Sequence, residues 1–356
     1  MVSVQVLIPC YNYAKYLERS VHSALSQPGV DVNVLVIDDC SPDDTPDVCR
    51  RLTAQDSRVR TIRHETNMGH IATYNEGIAQ IRGDYFVLLS ADDLLAPGAL
   101  SRATALMEAN PSVGMTYGHV VSFDGNEPPQ ARLVSPGTSV WSGTEWIRKV
   151  CRAGKNFVVC PEAVVRASVQ TRIGGYDPKL PHSGDMEMWL RIASISDIGH
   201  VAGADQAYYR VHPQSMQRTI HSGFLFDLVG RREAFRSAFA KEGASLPGRD
   251  KLHLLAKRSL ALTAIQHARM LCDFPNEDTV TASEYRDFAV SIFPPIVNTG
   301  RYRSLLASER QDKGALSNVM SQCKAKLRRF AHEEILNRVE YRWARRTGVY
   351  IPRYYL

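Results

Sequence analysis

Two adjacent aspartates, Asp92 and Asp93, follow a short apolar run and carry carboxylates that could bind a divalent cation. The run, residues 85–89, lies between Gly83-Asp84 and Ala96-Pro97-Gly98, which predicts a buried parallel strand. Open α/β sheets bind ligands at the carboxyl ends of their strands, and carboxylate oxygens suit Mg²⁺ or Mn²⁺, which can in turn hold a diphosphate. A solvated turn that caps the next helix is the alternative, and the pair alone favours neither.

Three predicted strands upstream end in polar residues of the same kind. Residues 2–9 lead into Cys10-Tyr11-Asn12, residues 32–37 lead into Asp38-Asp39, and residues 58–62 precede Asn67-Met68-Gly69. Strands that alternate with helical stretches in this way predict a nucleotide-binding α/β fold. The sequence has no G-x-G-x-x-G after the first strand and no G-x-x-x-x-G-K-[ST], which argues against a dinucleotide-binding fold and a P-loop.

Several sequence blocks occur in the order seen in family 2 glycosyltransferases of the GT-A fold, and the chain resembles that family over residues 2–215. The blocks are Ile8-Pro9-Cys10-Tyr11-Asn12, Val36-Ile37-Asp38-Asp39-Cys40-Ser41, Asn67-x-Gly69 with Asn75-x-Gly77, Ser90-Ala91-Asp92-Asp93, Gly174-Gly175-Tyr176-Asp177, Gly184-Asp185-Met186-Glu187-Met188-Trp189-Leu190-Arg191, and Tyr209-Arg210-Val211-His212-Pro213. Each block is a weak signal alone, whereas their common order is a strong one.

The resemblance implies an α/β fold with a GT-A type nucleotide-binding open sheet of mostly parallel strands, followed by a helical C-terminal region. It divides the chain into a glycosyltransferase domain at residues 1–215, with a nucleotide-sugar half (1–110) and an acceptor half (111–215), and a mostly helical region at 216–356. The apolar pattern predicts strands over 160–165 and 198–202 and helices over 224–241, 251–272, 282–292 and 322–347. Gly77 is expected to serve helix packing more than ligand contact. The implied activity is inverting, metal-dependent transfer of a sugar from a UDP, GDP or dTDP sugar to a hydroxyl acceptor, with Mn²⁺ or Mg²⁺ as cofactor. Such transfer serves the biosynthesis of glycans, glycolipids or glycosylated natural products.

The resemblance also implies roles for individual residues. Asp185 matches the family's catalytic base, although Gly184 stands where many members have a glutamate. Asp92, Asp93 and His212 match the metal-binding residues. The nucleotide-sugar contacts implied are those of Pro9, Tyr11, Asn12, Asp38, Asp39, Arg63, Asn67, Gly69, Ser90, Ala91, Asp92 and Arg210.

Some of these roles have structural alternatives. A carboxylate in the first turn of a helix, such as Asp185, also favours the helix dipole, and Glu187 is the fallback base although it should point elsewhere. Arg210 could pair with phosphate or be structural, and His212 could be an ordinary surface histidine. Serine at position 90, where the family often has a third carboxylate, leaves open which aspartate binds metal and which contacts ribose.

Two other classes of protein share parts of this pattern. A catalytically silent GT-A module that only binds sugar nucleotides would have a damaged Asp92-Asp93 pair or base, and both are intact. A sugar nucleotidyltransferase would have a Gly-rich loop and a lysine after the first strand, where this chain has Pro9-Cys10-Tyr11-Asn12. Release of a nucleoside diphosphate instead of pyrophosphate distinguishes the transferase from the nucleotidyltransferase.

Composition predicts a cytoplasmic protein of about two domains. The 356 residues include seven cysteines without a C-x-x-C pair, which favours reduced thiols over disulfides or a zinc site. Met1 leads directly into a strand, so no signal peptide is expected, and no apolar stretch is long enough for a transmembrane helix. Whether the protein forms a homo-oligomer is left open.

Positive charge is concentrated at the C-terminal end of the chain. Residues 301–356 hold 13 Lys and Arg against 5 Asp and Glu, a balance of +8, whereas the whole chain is +6 and residues 1–300 therefore sum to −2. The arginines and lysines alternate with Leu327, Phe330, Leu336 and Trp343. This pattern predicts either peripheral contact with the inner face of a membrane or a helix packed on the catalytic domain with a solvated basic face. Nucleic acid is not an expected partner, because no recognition motif accompanies the charge.

Overall fold

The computed structural model of the chain describes residues 1–213, 223–274, 278–309 and 337–349. Within these residues the strands are β1 (Ser3–Cys10), β2 (Asp31–Asp38), β3 (Val59–Arg63), β4 (Tyr85–Leu88), β5 (Leu94–Leu95), β6 (Val113–Phe123), β7 (Gly137–Trp141), β8 (Val164–Arg166) and β9 (Asp197–Arg210). The helices are α1 (Ala14–Leu25), α2 (Thr45–Gln55), α3 (His70–Ala79), α4 (Ala99–Ala109), α5 (Gly143–Ala153), α6 (Ala167–Ile173), α7 (Gly184–Ile195), α8 (Phe224–Ala240), α9 (Arg249–Asp273), α10 (Ala282–Ile292), α11 (Gly300–Glu309) and α12 (Asn337–Thr347).

The described strands form one mixed sheet in the order β3-β2-β1-β4-β8-β6-β9-β5, and β7 also pairs with β9. Strands β3, β2, β1 and β4 are parallel, as the sequence predicts, so their carboxyl ends meet at one edge. The short strand β8 connects the two halves of the sheet. It is antiparallel to β4 and to β6, with two residue pairs on each side.

Strands β1, β2 and β4 are buried on both faces, which explains their apolar sequences. Side chains from alternate positions of β1, such as Val6 and Ile8, pack with α1, α2 and α4. Leu7 faces the opposite side and packs with α3 and the acceptor half. A Cβ at Gly77 of α3 would lie 2.2 Å from Leu7 Cδ2, so glycine is required where this helix crosses β1. The predicted packing role of Gly77 is confirmed.

Two strand predictions in the acceptor half were wrong in extent. Residues 160–165 were expected to form a strand, but Cys160–Glu162 is a 3₁₀ turn and only Val164–Arg166 is extended. Pro161 explains the turn, because proline has no N–H to donate to a ladder. Residues 198–202 were expected as a short strand, whereas β9 continues to Arg210. Its second part contains Asp205 and Gln206, buried polar residues that interrupt the apolar pattern.

The C-terminal helices share one apolar core with the acceptor half. Trp146 of α5 and Trp189 of α7 belong to the same buried cluster as Phe235, Leu260 and Tyr285 of α8, α9 and α10. The predictions of helices over 224–241, 251–272 and 282–292 are confirmed, and α11 was not predicted. Of the helix predicted over 322–347, only α12 lies within the described residues, and the predicted domain boundary at residue 215 lies outside them.

Helix α12 packs on the acceptor half through part of its surface. Arg345 pairs with buried Asp205 of β9 at 3.1 Å, and Glu340 is bonded to Lys155. The Tyr117 hydroxyl donates to the carbonyl of Gly348 just beyond the helix. The described part of the basic segment is therefore attached to the catalytic fold. Residues Leu327, Phe330 and Leu336 lie outside the described residues.

The described cysteines, at positions 10, 40, 49, 151, 160 and 272, are all free thiols. None of the helices described is long and apolar enough to cross a membrane.

Candidate active site

The first two strand ends are tied together by short turns. Asn12 and Cys40, which follow β1 and β2, have positive φ angles of 61° and 59°. The Asn12 N–H donates to Ser41 Oγ at 3.0 Å, so the Pro9-to-Asn12 turn and the Asp38-to-Ser41 turn are in direct contact. Tyr11 is 48% exposed beside them, and its ring is open to a ligand.

Asp38 and Asp39 are used differently. Both oxygens of Asp39 accept backbone N–H groups, from Met68 at 2.7 Å and from Gly69 at 2.9 Å, and His64 Nδ1 lies 2.7 Å away. Within the described residues, the Asp38 side chain accepts one hydrogen bond, from the Ser41 N–H to Oδ1 at 2.9 Å.

The second oxygen of Asp38 faces Arg63 Nη1 at 3.4 Å. Asp39 therefore builds the turn that holds Asn67 and Gly69, and Asp38 keeps one buried oxygen without a hydrogen bond in the described structure.

The end of β4 positions the aspartate pair. The Ser90 carbonyl accepts the Asp93 N–H at 3.0 Å, which closes a tight turn around buried Ala91. Asp93 Oδ1 accepts the Arg210 N–H at 2.9 Å, and Asp92 Oδ2 lies 3.0 Å from His212 Nε2. Burial, and then the charge of Asp92, raise the pKa of Asp93 well above its usual value. The end of β9 is thereby joined to the end of β4.

Arg210 makes contacts that favour its structural alternative. Its Nε donates to the Asp92 carbonyl at 3.0 Å, and Nη1 donates to the carbonyl of Gly125. Its guanidinium lies 4.6 Å from the Tyr16 ring centre and 4.4 Å from that of Phe123. With 4% of its surface exposed, Arg210 holds the aspartate turn against β9.

The His212 ring is buried between two tyrosines of the α1 region. Its centre lies 5.5 Å from those of both Tyr13 and Tyr16. Its Nδ1 is buried without a hydrogen bond within the described structure. These contacts contradict the alternative of an ordinary surface histidine.

The donors at this site suit a divalent cation that would be held by protein side chains together with substrate phosphates. Among the residues described, no group of three or more His, Cys, Asp or Glu side chains is arranged to hold a metal, so Asp92, Asp93 and His212 are not a preformed cluster. Asp92 and His212 remain as adjoining donors, since Asp93 is engaged by Arg210. Magnesium sites commonly combine one or two carboxylates with substrate phosphates, and this donor set is compatible with that arrangement.

Asp185 lies in the first turn of α7, where the chain leaves a loop of the acceptor half. The Tyr176 hydroxyl donates to Asp185 Oδ1 at 3.0 Å. Burial raises the pKa of Asp185, while the Tyr176 hydrogen bond and then the charges of His70 and His182 lower it in part. The carboxylate is thus a stronger proton acceptor than a solvated aspartate, which is the property a general base needs.

Glu187, the fallback base, has a structural role. Its side chain is fully buried and accepts hydrogen bonds from Ser237 Oγ at 2.9 Å and Lys241 Nζ at 2.7 Å. Arg191, one turn along α7, lies 3.6 Å from it. Because these contacts join α7 to α8, Glu187 is directed away from the cleft, as the sequence predicts.

The aspartate pair and Asp185 lie in the same part of the molecule, near Cys160 and Tyr74. Burial raises the pKa of the Cys160 thiol, and the charges of Asp185 and Asp93 raise it further. Burial likewise raises the pKa of Tyr74, followed by the charges of Cys160, Asp185, Asp92 and Asp93. The Cys160 thiol donates to the Leu88 carbonyl at the end of β4, and the ring of Tyr74 lies 5.5 Å from that of Tyr176, whose hydroxyl bonds to Asp185. Asp93 and Asp185, about ninety positions apart in the sequence, therefore lie near the same two side chains.

Sequence reasoning did not assign roles to Tyr74, Cys160 or Tyr176. The available signal for Tyr176 was the Gly174-Gly175-Tyr176-Asp177 block. A Cβ at Gly175 would lie 2.3 Å from Asn75 Oδ1, so glycine lets the chain approach α3. Asn75 then bonds to the N–H and carbonyl of Tyr176 at 2.7 and 3.0 Å and fixes its position. Nothing in the sequence around Cys160 marks it as a cleft residue.

Comparison with known proteins agrees with this geometry. The family described as "Glycosyl transferase family 2" matches residues 5–166. The chain is similar to this family over those residues, which make up less than half of its length. It is 28% identical over 250 residues to succinoglycan biosynthesis protein ExoO of Rhizobium meliloti, a match that covers 67% of this chain and 70% of ExoO. It is 32% identical over 127 residues to an uncharacterized glycosyltransferase of a Nostoc strain, but spans only 39% of that relative's length.

Solved structures confirm the GT-A glycosyltransferase fold. The S. aureus TarS 1–349 structure in complex with UDP aligns with a TM-score of 0.57 at 17% identity and covers 88% of this chain and 93% of its own. The mannosyltransferase PcManGT from Pyrobaculum calidifontis, in complex with GDP-Man and Mn²⁺, aligns with a TM-score of 0.50 at 15% identity and covers 93% of this chain and 87% of its own.

Proposed function

We propose that this chain transfers a sugar from a nucleoside diphosphate sugar to a hydroxyl acceptor, with inversion at the anomeric carbon and with a divalent cation. The observation that carries the proposal is the proximity of Asp185 to the end of β4: the Cys160 thiol bonds to the Leu88 carbonyl there, the Tyr74 ring lies 5.5 Å from that of Tyr176, which bonds to Asp185, and the charges of Asp93 and Asp185 act on both Cys160 and Tyr74. A proton acceptor and a diphosphate-binding edge on one cleft are the two requirements of the reaction.

In this mechanism Asp185 accepts the proton of the acceptor hydroxyl as its oxygen bonds to the anomeric carbon. The bond from that carbon to the diphosphate oxygen breaks, and its electron pair leaves with the diphosphate. Tyr176 holds the carboxylate in position through its hydrogen bond. When bound by Asp92 and His212, Mn²⁺ or Mg²⁺ would offset the charge on the leaving group.

The nucleotide would lie along the edge formed by β1, β2 and β4. Exposed Tyr11 can cover a nucleobase, and Asp38 can accept a base N–H or a ribose hydroxyl through its second oxygen. The neighbouring structures with UDP and with GDP-Man and Mn²⁺ support this class of donor and cofactor. The name of the ExoO relative, a succinoglycan biosynthesis protein, supports a role in polysaccharide assembly.

A thermal-shift panel of UDP, GDP and dTDP sugars, each with and without Mn²⁺, tests the donor proposal. One nucleotide should raise the melting temperature because a ligand that binds the native state stabilises it. Chromatography of the reaction with donor should show a nucleoside diphosphate as product. Pyrophosphate as product would support the nucleotidyltransferase instead, and donor binding without turnover in the presence of acceptors would support the silent module.

Contact with a membrane is also part of the proposal, and α12 is the element that would make it. Trp343 and Val339 are 49% and 46% exposed, although Arg345 and Glu340 attach the helix to the catalytic fold. Arg342 and Arg346 are exposed on the same helix. An aromatic and an aliphatic side chain among arginines match the interfacial zone of an anionic bilayer.

A further inference from the structure

The loop before α7 carries an amphipathic surface beside the candidate base. Phe226 of α8 is 47% exposed, and its ring centre lies 5.2 Å from that of His182. Gly230, one turn along α8, allows close packing here, since its Cβ would lie 3.3 Å from His182 Cδ2. The exposed ring therefore packs against the loop that leads to Asp185.

Polar groups border this ring on one side. His182 Nε2 lies 3.3 Å from Asp227 Oδ1, and Asp227 also pairs with Arg231 in the next turn of α8. His182 is close enough to Asp185 for its charge to lower the pKa of that carboxyl, after the larger effects of burial and of Tyr176. One histidine thus connects the exposed aromatic ring with the base.

We propose that Phe226 and His182 form a binding subsite for a saccharide acceptor, with the apolar face of a sugar ring on Phe226. Sugars need this combination, because their C–H faces stack on an aromatic ring while their hydroxyls bond to charged groups at its edge. The proposal rests on the proposed function, in that it names the class of acceptor that Asp185 would deprotonate.

The surroundings of Phe226 favour a saccharide over a lipid alcohol. The ring is bordered by His182, Asp227 and Arg231, which are polar or charged. Phe224 and Leu225, which precede Phe226, are half-buried, and the nearest exposed large apolar side chains along the described chain are Val159 and Leu254. An alkyl chain would gain little from one ring in a charged border.

Saturation-transfer difference NMR tests the subsite without knowledge of the natural acceptor. The probes are disaccharides ending in glucose, galactose, mannose, rhamnose or N-acetylglucosamine, together with octanol, each recorded beside UDP and GDP. We expect ring protons of at least one disaccharide to receive saturation from the wild-type protein. Phe226→Ala should weaken that binding about 3- to 10-fold, and Phe226→Tyr should retain it. Leu254→Ala, another exposed apolar position, should have no effect.

The outcomes separate this inference from the proposed function. Nucleotide signals report on the donor site and should be equal in the wild type and Phe226→Ala. Nucleotide binding without any disaccharide signal, disaccharide binding that Phe226→Ala leaves unchanged, or a preference for octanol would each overturn the saccharide subsite. None of these results would affect the donor proposal, whereas loss of nucleotide binding in the wild type would contradict that proposal alone.

Discussion

At the scale of single residues, the Tyr176–Asp185 hydrogen bond should control the pH at which the proposed base is ionised. The hydroxyl stabilises the charged carboxylate and opposes the effect of burial on its pKa. Tyr176→Phe should therefore raise the pKa of Asp185 further. Since the base must be ionised, activity falls as pH drops through that pKa, and the acidic limb of the pH–rate profile should move to higher pH.

Tyr74→Phe is the matched control for this shift. Its ring lies 5.5 Å from that of Tyr176, but its hydroxyl is not among the described hydrogen-bond donors to Asp185. The acidic limb should stay in place in this variant. A Tyr176→Phe enzyme whose limb does not move, or moves to lower pH, would show that another group sets the profile.

Replacing the base itself gives a stronger effect. Asp185→Asn should reduce transfer by about 10²- to 10⁴-fold and leave donor binding nearly intact, because the carboxylate contacts the acceptor side. Turnover and donor-induced thermal shift are measured together. Wild-type turnover in this variant, together with loss of turnover in Glu187→Gln, would show that Asp185 is not the base.

The aspartate turn should determine metal dependence, mainly through Asp92. Asp92→Asn should lower turnover by about two decades or more, equal to several kcal/mol of lost charge stabilisation. Asp93→Asn should lower it less, because Asp93 is engaged by the Arg210 N–H. EDTA should abolish activity, and added Mn²⁺ or Mg²⁺ should restore it. Full activity in EDTA would exclude the cation from the mechanism.

At the scale of elements, α7 is attached to the C-terminal helices by buried ions. Lys241 at the end of α8 bonds to fully buried Glu187 and to Asp177, and Arg191 bonds to Glu242 at 2.6 Å. This network fixes the helix whose first turn carries Asp185. The C-terminal helices therefore support the geometry of the base as well as the core.

Lys241→Met should destabilise the fold by about 1–3 kcal/mol. The change leaves Glu187 buried with fewer partners, and the effect is smaller than for a fully buried pair because a third of the lysine side chain is exposed. Urea unfolding measures the difference in stability, and Lys251→Met, a change at an exposed position of α9, is the control. Equal stability of the two variants would mean that the network does not hold α7.

Elements could be predicted from sequence where apolar spacing was regular. The parallel strands β1, β2 and β4 have continuous apolar runs, and α8 to α10 have helical patterns. The second part of β9 could not be predicted, because Asp205 is buried by virtue of distant partners. Its carboxylate accepts the Arg132 N–H at 2.7 Å and pairs with Arg345, and neither contact is visible in local sequence.

The same limit applies to the site. Motif order predicts that the strand ends and Asp185 belong to one reaction, since carboxyl ends of parallel strands meet at one edge. It does not predict which oxygen is engaged. Asp39 belongs to a turn, whereas Asp38 faces Arg63. This difference arises because backbone N–H groups about thirty residues away in the sequence donate to Asp39. Likewise, Cys160 lies in a 3₁₀ turn where a strand was expected, and its place beside the aspartates was therefore not predicted.

At the scale of the whole molecule, charge is divided between a slightly acidic body and a basic end. Anionic liposomes should sediment the intact protein at low salt, and about 1 kcal/mol per basic residue should be lost as salt screens the contact. Trp343→Ala should weaken sedimentation, whereas Val297→Ala, exposed elsewhere, should not. Protein that stays in the supernatant at low salt would show that the basic segment is structural.

The narrow connection made by β8 has a consequence for synthesis on the ribosome. Strand β4 leaves the ribosome about 75 residues before β8, so at about 5–20 residues per second its outer edge waits about 4–15 s for a partner. An apolar edge strand without a partner can pair with other chains. Nascent chains that end before residue 164 should therefore pellet or require a chaperone, whereas longer chains that include the acceptor half should stay dispersed.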